Sequence, residues 1–337
     1  MAVGMSKPDN VAKAVKFIEE ASSNGANIVS LPVSNLISNQ IVMKRIVVVL
    51  VTVVVMVVVI VVVEVVVAAA ATPATAAVVV VVVVVVVVTV VVVVVVVVVV
   101  TVEFFSSWQQ AEPIPGPTTD ALSQAAVSNS VYIVGGSIHE RYRDKSFNTC
   151  AVFCPLGELI AKHRKVHLFD IDIPGQITFK ESQNFAPGDQ LTVFQTPYCR
   201  VGVGICYDIR FPEMSRIYAE QGCELLVFPA EFSIATGSKH WELLQRVRAV
   251  DNQVFVASAS PARNSKGDYI VWGHSCVVDP WGDIIAKADE KESIVYADVD
   301  LSRLEEVRQV LPLDHHKRYD LHLPTQPSVS SSLRQHQ

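Results

Sequence analysis

One cysteine of this 337-residue chain stands where a folded protein can expose a reactive thiol. An apolar run rich in β-branched residues, VGVGI (residues 201–205), ends at Cys206, and a polar, helix-compatible segment follows at once. A strand that turns sharply into a helix pushes the side chain at the turn out of the sheet and leaves helical N–H groups beside it. Cys206 is therefore a candidate nucleophile with a lowered pKa. The competing interpretation is a buried structural cysteine, as most free cysteines are.

A thiol nucleophile needs a base to take its proton and a cation or dipole to hold the developing oxyanion. Lys165 is the best local candidate for the cation, because it follows a predicted strand and runs into an apolar turn that could fold inward. The charge pattern of KHRK (residues 162–165) alone is more typical of a solvated basic surface. His167 could serve as a base, although a lone histidine is more often structural. Spacing does not rank the four acidic residues near these segments, which are Asp172, Glu181, Asp208 and Glu213.

The composition argues against several classes of function. The net charge of −6 is mild and no long basic run occurs, so nothing indicates nucleic-acid binding. The six cysteines fit neither a disulfide framework nor a zinc site, and we expect no metal and no cofactor. No secretory signal opens the chain. We therefore expect reduced thiols inside the cell, in the cytoplasm, with mitochondria as a further compartment.

A valine tract interrupts the chain. Residues 41–102 are of low complexity, and most residues from 46 onward in this range are valine. By length alone, two parts of the tract qualify as membrane spans. Natural spans mix in Leu, Phe, Gly and Trp, however, and poly-valine is a strong β-former. The monotony is typical of a translated nucleotide repeat or a faulty gene model, and a membrane anchor is the less favoured alternative.

Outside the tract, the apolar periodicity predicts an α/β layered domain with a mixed sheet. The predicted helices cover residues 11–22, 118–128, 213–221, 239–250 and 301–310. The predicted strands cover residues 26–31, 131–137, 150–154, 159–162, 191–196, 200–205, 225–228, 254–258, 271–278, 284–287 and 294–297. The tail after residue 322 is rich in Ser, Gln and Pro, and we expect it to be disordered.

Two segments carry a resemblance to a known family. KVHLFDIDIPG (residues 165–175) and CYDIRFPE (residues 206–213) strongly resemble the nitrilase, or carbon–nitrogen hydrolase, superfamily. Three further segments resemble its omega-amidase branch, whose members act on 2-oxoglutaramate and 2-oxosuccinamate. These segments are ITFKES (residues 177–182), HWELLQR (residues 240–246) and RAVDNQ (residues 248–253).

The resemblance runs over residues 10–32 and again over residues 104–310. It implies a four-layer α-β-β-α sandwich of the nitrilase type, usually assembled as homodimers or larger oligomers through the sandwich faces. The domain would comprise residues 1–310, with residues 41–102 as an insertion and residues 311–337 as a C-terminal tail.

The resemblance also implies a Glu-Lys-Cys site that needs no cofactor. Cys206 would be the nucleophile and Lys165 the cation that stabilises the tetrahedral intermediate, assisted by the backbone N–H of Tyr207. Glu181 matches a second glutamate that many members keep near the site, where it would orient Lys165 or the leaving group. Arg210 stands where related carbamoylases bind a substrate carboxylate, a role that suits a guanidinium facing an oxo-acid amide.

The general base of the family is missing from its expected position. Family members end the first β–α segment with Leu-Pro-Glu, whereas this chain reads LPV (residues 31–33) and places Val33 at the base position. We expect the family's first strand to be missing as well. Valine accepts no proton, and loss of a positioned base typically lowers a rate by about 100- to 10,000-fold. Glu64 lies among valines and Glu112 matches an ordinary surface position, so we expect neither to substitute.

The sequence thus predicts an enzyme that hydrolyses the C–N bond of a small oxo-acid amide through a Cys206 thioester and releases ammonia. The alternatives are a catalytically impaired pseudoenzyme that keeps the fold, a membrane-tethered amidase domain and another amidase of the superfamily. The expected partners are a small-molecule amide and a second copy of the chain.

Overall fold

The computed structural model describes residues 7–32, 111–173, 177–263 and 270–322. Val33, Glu64 and the valine tract lie outside these ranges. So do the residues before the first helix and the tail after residue 322, and the predictions made for all of them stay predictions.

The described chain alternates helices and strands in the order expected of a layered α/β domain. The first elements are α1 (Lys7–Ser23), β1 (Ile28–Ser30), α2 (Pro117–Asn129), β2 (Tyr132–Val134), β3 (Ile138–Tyr142), β4 (Lys145–Phe153), β5 (Leu159–Arg164), β6 (Asp170–Ile173) and β7 (Ile177–Lys180). The following ones are the 3-10 helix Glu181–Gln183, β8 (Thr192–Gln195), β9 (Arg200–Val203), the 3-10 helix Cys206–Arg210, α3 (Pro212–Glu220), β10 (Leu225–Pro229), α4 (Ile234–Asn252) and β11 (Phe255–Ala259). The last ones are β12 (Cys276–Val278), β13 (Ile284–Lys287), α5 (Leu301–Val310), α6 (Leu313–His316) and α7 (Tyr319–His322).

Two helices cover the outer face of the first sheet. This sheet contains the five strands β1, β2, β3, β4 and β5. Strand β1 is parallel to β2, and the long β4 is antiparallel to β2, β3 and β5. Helix α1 carries an apolar stripe at helical spacing, in which Ala14 and Ile18 are buried. The stripe packs with Leu122 and Ala126 of α2 against Ile133 of the sheet. The amphipathic pattern read from the sequence therefore forms one outer layer.

The second sheet carries the candidate nucleophile. Its strand order is β13-β12-β11-β10-β9-β8, and β9, β10 and β11 run parallel. Helices α3 and α4 cover its outer face, where Met214, Tyr218 and Trp241 pack against Leu226 and Phe228. Strand β10 is buried along its whole length, as expected for a central parallel strand with packing on both faces.

Apolar side chains fill the space between the two sheets. Val134 and Val152 of the first sheet pack with Val201, Val203 and Leu225 of the second. Each fully buried side chain of this kind contributes about 1.5–3 kcal/mol relative to leaving it in water. The two facing sheets and the helices outside them form a four-layer α-β-β-α sandwich, as predicted.

Several local predictions differ from the structure. Helix α4 begins at Ile234 rather than at residue 239, and neither β3 nor the β6–β7 hairpin was predicted. The predicted strand at residues 294–297 is wrong, because this stretch forms no ladder with any described strand. The predicted strand at residues 271–278 reduces to β12 and one bridge from Val271 to Ser233. An apolar stretch with β-branched residues suits a strand, but pairing with another strand decides whether one forms.

The structure bears on the membrane and thiol predictions only in part. Within the described ranges, no helix is long and apolar enough to cross a membrane. All six cysteines fall inside these ranges, and all are free thiols. The predicted homodimer stays a prediction.

Candidate active site

The turn at Cys206 has the geometry expected from the sequence. Strand β9 ends at Val203, and a 3-10 helix begins at Cys206 itself. Cys206 has a φ of +48°, in the left-handed region that non-glycine residues rarely adopt. Gly204 permits the close packing of this turn, because a Cβ there would lie 2.5 Å from the ring of Phe228. Backbone strain of this kind persists only where the surrounding fold enforces it, and it is frequent at reactive sites.

A buried ion pair lies close to the thiol. Lys165 follows β5, and its Nζ donates to Oε2 of Glu181 over 2.6 Å. Glu181 also accepts hydrogen bonds from Nδ2 of Asn148 at 3.0 Å and from the backbone N–H of Phe169 at 2.7 Å. The two charged side chains are only 4% and 1% exposed. The carboxylate of Glu181 is therefore well supplied with donors, and it holds the Lys165 ammonium in one position.

The charges of this cluster act on one another. Burial alone would lower the pKa of Lys165, but the charges of Glu181 and Cys206 raise it, so the ammonium stays charged. Burial raises the pKa of the Cys206 thiol, although the charge of Lys165 opposes this shift. The predicted lowering of the thiol pKa is therefore wrong, because desolvation of the thiolate outweighs the attraction of the ammonium. Such a thiol needs a proton acceptor to become a nucleophile.

Asp208 ties the end of β5 to the nucleophile turn. Its Oδ2 accepts from the backbone N–H of Ile205 at 2.8 Å and lies 3.1 Å from Nε2 of His163. Its Oδ1 accepts from the backbone N–H of His167 at 2.9 Å and lies 2.8 Å from Nδ1 of the same residue. Burial would raise the pKa of Asp208, but the hydrogen bonds with the two histidines hold it well below its usual range. His167, which also stacks on Phe211, is thus placed to position the turn.

The basic segment around Lys165 is not a solvated surface. Lys162 and Arg164 both pair with Glu140, at 2.7 and 2.8 Å, and the Glu140 side chain is 1% exposed. Burial would raise the pKa of Glu140, but hydrogen bonds from Arg164 and Lys162 lower it to about 2. Successive residues of a strand point to opposite faces, so His163 and Lys165 reach the other acidic groups, Asp208 and Glu181. The commoner interpretation of this charge pattern is therefore wrong.

Arg210 and Tyr207 lie on the short helix that begins with the nucleophile. Nη1 of Arg210 is 3.3 Å from Nδ1 of His240. The guanidinium carbon lies 4.8 Å from the ring centroid of Phe232 and 5.6 Å from that of Tyr207. The Tyr207 ring makes an edge contact with Phe169 at 5.1 Å. Aromatic rings thus hold the guanidinium, whose planar fork matches a carboxylate.

Two residues of this site escaped the sequence reasoning. Arg248 of α4 donates to the backbone oxygens of Ile209 at 2.8 Å and Arg210 at 3.0 Å, which fixes the nucleophile-bearing helix. Glu231 lies two residues after β10 and is 8% exposed. The available signal for Glu231 was its position after a buried strand of the sheet that carries Cys206, because the carboxyl ends of parallel strands meet at one edge.

The other acidic candidates lie elsewhere. Asp172 is exposed in the β6–β7 hairpin, and Glu213 is exposed in the first turn of α3. Glu112 is buried rather than at the surface, and its Oε1 accepts from the backbone N–H of Thr118 at 3.2 Å. Its carboxylate therefore stabilises the start of α2.

Glu231 is expected to make the stability of the protein depend on pH. Burial raises the pKa of Glu231 from its usual value of 4.5 to about 8, against the charge of Lys165. Protonation of Glu231 therefore stabilises the folded state. This stabilisation is complete below pH 4.5 and is lost as the pH rises through about 8. We expect the free energy of unfolding of the wild type, relative to Glu231→Gln, to fall by about 1.4 kcal/mol per pH unit in this window. Urea denaturation of both proteins between pH 4.5 and 8 measures this difference in the free energy of unfolding. A difference that does not change with pH would contradict the raised pKa of Glu231.

Comparison with known proteins gives the family. A family model for carbon–nitrogen hydrolases matches residues 63–309. Omega-amidase NIT2 of Bos taurus is 60% identical over 212 residues, which are 63% of this chain and 77% of that protein. Omega-amidase NIT2 of Homo sapiens is 58% identical over 214 residues, which are 64% of this chain and 78% of that protein.

A solved structure supports the same family. Saccharomyces cerevisiae Nit3, a member of branch 10 of the nitrilase superfamily, matches with a TM-score of 0.67 and 32% identity, over 93% of this chain and 91% of that one. The fold is therefore that of the nitrilase superfamily. The chain belongs to the carbon–nitrogen hydrolase family of enzymes.

Proposed function

We propose that the protein hydrolyses the amide bond of a small oxo-acid amide, such as 2-oxoglutaramate or 2-oxosuccinamate, and releases ammonia. The observation that carries this proposal is a cysteine at a strained strand-to-helix turn beside a buried, hydrogen-bonded ammonium. The similarity to omega-amidase NIT2 of Bos taurus and Homo sapiens supports the same class of reaction.

In the proposed reaction, Sγ of Cys206 attacks the amide carbon and forms a tetrahedral intermediate. The ammonium of Lys165 stabilises the oxyanion, with the backbone N–H of Tyr207 as a second donor. A fixed donor of this kind contributes about 2.7–4 kcal/mol to transition-state stabilisation. The C–N bond then breaks, ammonia leaves and water hydrolyses the thioester. Glu181 keeps Lys165 in position throughout.

Arg210 would select the class of amide. It lies on the same short helix as Cys206, so a substrate carboxylate bound at Arg210 would hold the amide end near the thiol. The aromatic rings of Tyr207 and Phe232 support the guanidinium on this side of the site. A lysine could supply the charge but not the planar fork that pairs with both carboxylate oxygens.

Arg210→Lys tests this assignment. We expect the wild type to release ammonia from 2-oxoglutaramate and the variant to show a KM raised about tenfold or more, with a smaller change in kcat, because one charge-assisted hydrogen bond is lost. Butyramide, an amide without a carboxylate, is the matched control substrate, and its kcat/KM should be equal in both proteins. An unchanged KM for 2-oxoglutaramate would exclude the role of Arg210.

The second candidate is a catalytically impaired family member that keeps the sandwich and its oligomer faces. Val33 at the family's base position favours it, because valine accepts no proton. Failure of the wild type to release ammonia from either oxo-acid amide would support this candidate. A third outcome, activity on deaminated glutathione or on a ureido acid instead, would indicate another amidase of the superfamily.

A further inference from the structure

Glu231 lies beside the candidate nucleophile, just after the neighbouring strand of the same sheet. Strand β10, which leads to Glu231, pairs in parallel with β9, which leads to Cys206. The thiol of Cys206 donates to the main-chain oxygen of Glu231, with 3.4 Å between sulfur and oxygen. The backbone of Glu231 therefore borders the reacting sulfur.

The carboxyl group of Glu231 is buried without a full set of partners. The residue is 8% exposed, and its Oε1 finds no hydrogen-bond partner within the described part of the chain. A buried polar group left in this state destabilises the fold. Among the buried side-chain atoms that lack a partner in the described part of the chain, this is the only carboxyl oxygen.

The same carboxyl group interacts electrostatically with both members of the proposed catalytic pair. Burial raises the pKa of Glu231 to about 8, and the charge of Lys165 opposes the shift. After burial itself, the charge of Glu231 is among the causes that raise the pKa of the Cys206 thiol. A carboxyl group that titrates near neutral pH can both take up and release a proton during turnover.

The other acidic groups around the thiol are already occupied. Glu181 accepts three hydrogen bonds, one of them from the Lys165 ammonium. Asp208 is bound by two histidine rings and two backbone N–H groups, and its pKa is held low. A carboxylate stabilised in this way is a poor proton acceptor. Glu231 differs from both because one of its oxygens remains open.

We propose that Glu231 is a catalytic residue, which accepts the proton of the Cys206 thiol and delivers it to the departing nitrogen. This inference rests on the amide hydrolysis proposed above. It supplies a proton acceptor from a different strand in a chain that carries Val33 at the family's base position.

The proton and the bonds balance over the two steps. The S–H bond of Cys206 breaks as Sγ bonds to the amide carbon, and the proton passes to the carboxylate of Glu231. When the C–N bond breaks, Glu231 gives that proton to the nitrogen, which leaves as ammonia. Water then attacks the thioester and loses a proton to Glu231. As the C–S bond breaks, Glu231 returns this proton to the sulfur, and the carboxylic acid product leaves.

Glu231→Gln tests the role, because the amide keeps the shape of the side chain but cannot carry the proton. The measurement is kcat/KM for 2-oxoglutaramate and for p-nitrophenyl acetate, whose nitrophenolate leaves without a proton. We expect the amide value to fall by at least about 100-fold, and the ester value to fall by a factor at least about ten times smaller. A purely structural role would lower both values equally, and equal losses or no loss would overturn the inference.

Glu220→Gln is the matched control. Glu220 lies on α3 and pairs with Arg216 at the surface, so both kcat/KM values should stay at their wild-type levels. Glu231→Asp keeps a carboxyl group and should retain more amide activity than Glu231→Gln, with thermal unfolding as the check that both variants fold. An aspartate variant no better than the glutamine variant would count against the inference.

The same measurements separate the two proposals. A wild type that hydrolyses no amide refutes the proposed function and the inference together. An active wild type combined with a Glu231→Gln variant that loses amide and ester hydrolysis equally refutes the inference alone.

Discussion

Cys206→Ala is expected to abolish ammonia release from 2-oxoglutaramate, with a fall in kcat of at least about 10,000-fold. The substitution removes the sulfur that would carry the acyl group, so only substrate binding and the fixed hydrogen-bond donors remain. Alanine tolerates the φ of +48° at this position no worse than cysteine does, so the turn should keep its shape. Ammonia release at saturating substrate measures the effect.

Cys154→Ala is the matched control for this result. Cys154 is a buried free thiol at the turn between β4 and β5, and its loss should leave kcat unchanged. Mass spectrometry of acid-quenched wild type should find an acyl adduct on the peptide that contains Cys206. Substantial activity in Cys206→Ala would exclude this residue as the nucleophile.

The second large effect is expected at the buried ion pair. Lys165→Met should lower kcat by about 100- to 1,000-fold, because the oxyanion loses its cation. The same substitution should lower the free energy of unfolding by about 3–5 kcal/mol, since the Glu181 carboxylate stays buried without its counter-charge. Steady-state kinetics and urea denaturation measure the two losses.

A double variant separates the catalytic effect from the structural one. Adding Glu181→Gln to Lys165→Met removes the buried charge, so most of the lost stability should return. Activity should not return, because the oxyanion still has no cation. Lys16→Met, on the exposed side of α1, is the control and should change neither quantity. Recovery of activity in the double variant would mean that Lys165 acts only through the fold.

Val33 and Glu231 lead to opposite expectations for the wild type. Without a positioned base, the family chemistry should be slowed by about 100- to 10,000-fold. With Glu231 as proton acceptor, the wild type should turn over amides well above that level. The comparison of wild type with Glu231→Gln therefore bears on whether the chain is an active or an impaired member of its family.

Much of the fold could be predicted from the sequence, because buried apolar residues recur at the period of the helix or strand that contains them. The apolar spacing of α1 and the apolar runs of β9 and β10 located elements that the structure contains. The same reasoning was wrong at residues 294–297, where an apolar stretch pairs with no described strand. Strand pairing depends on partners remote in the chain, and a local pattern does not contain them.

The site was predicted by motif resemblance rather than by spacing. Spacing left four acidic residues unranked and favoured a solvated surface for the segment of Lys165. In the structure, Lys165 directly follows β5, and the β6–β7 hairpin returns the chain so that Glu181, 16 residues later, meets it. The ranking of the acidic residues therefore came from chain topology.

The sequence by itself determined which reactive groups the protein carries and the local turn that presents one of them, because both are encoded within a few neighbouring residues. Only the tertiary structure decided that the pKa of Cys206 is raised rather than lowered, and that Glu231 lies at its side. Both depend on how deeply packing removes a group from water and on charges contributed by other segments. Desolvation is a property of the assembled environment, and no linear spacing of residues records it.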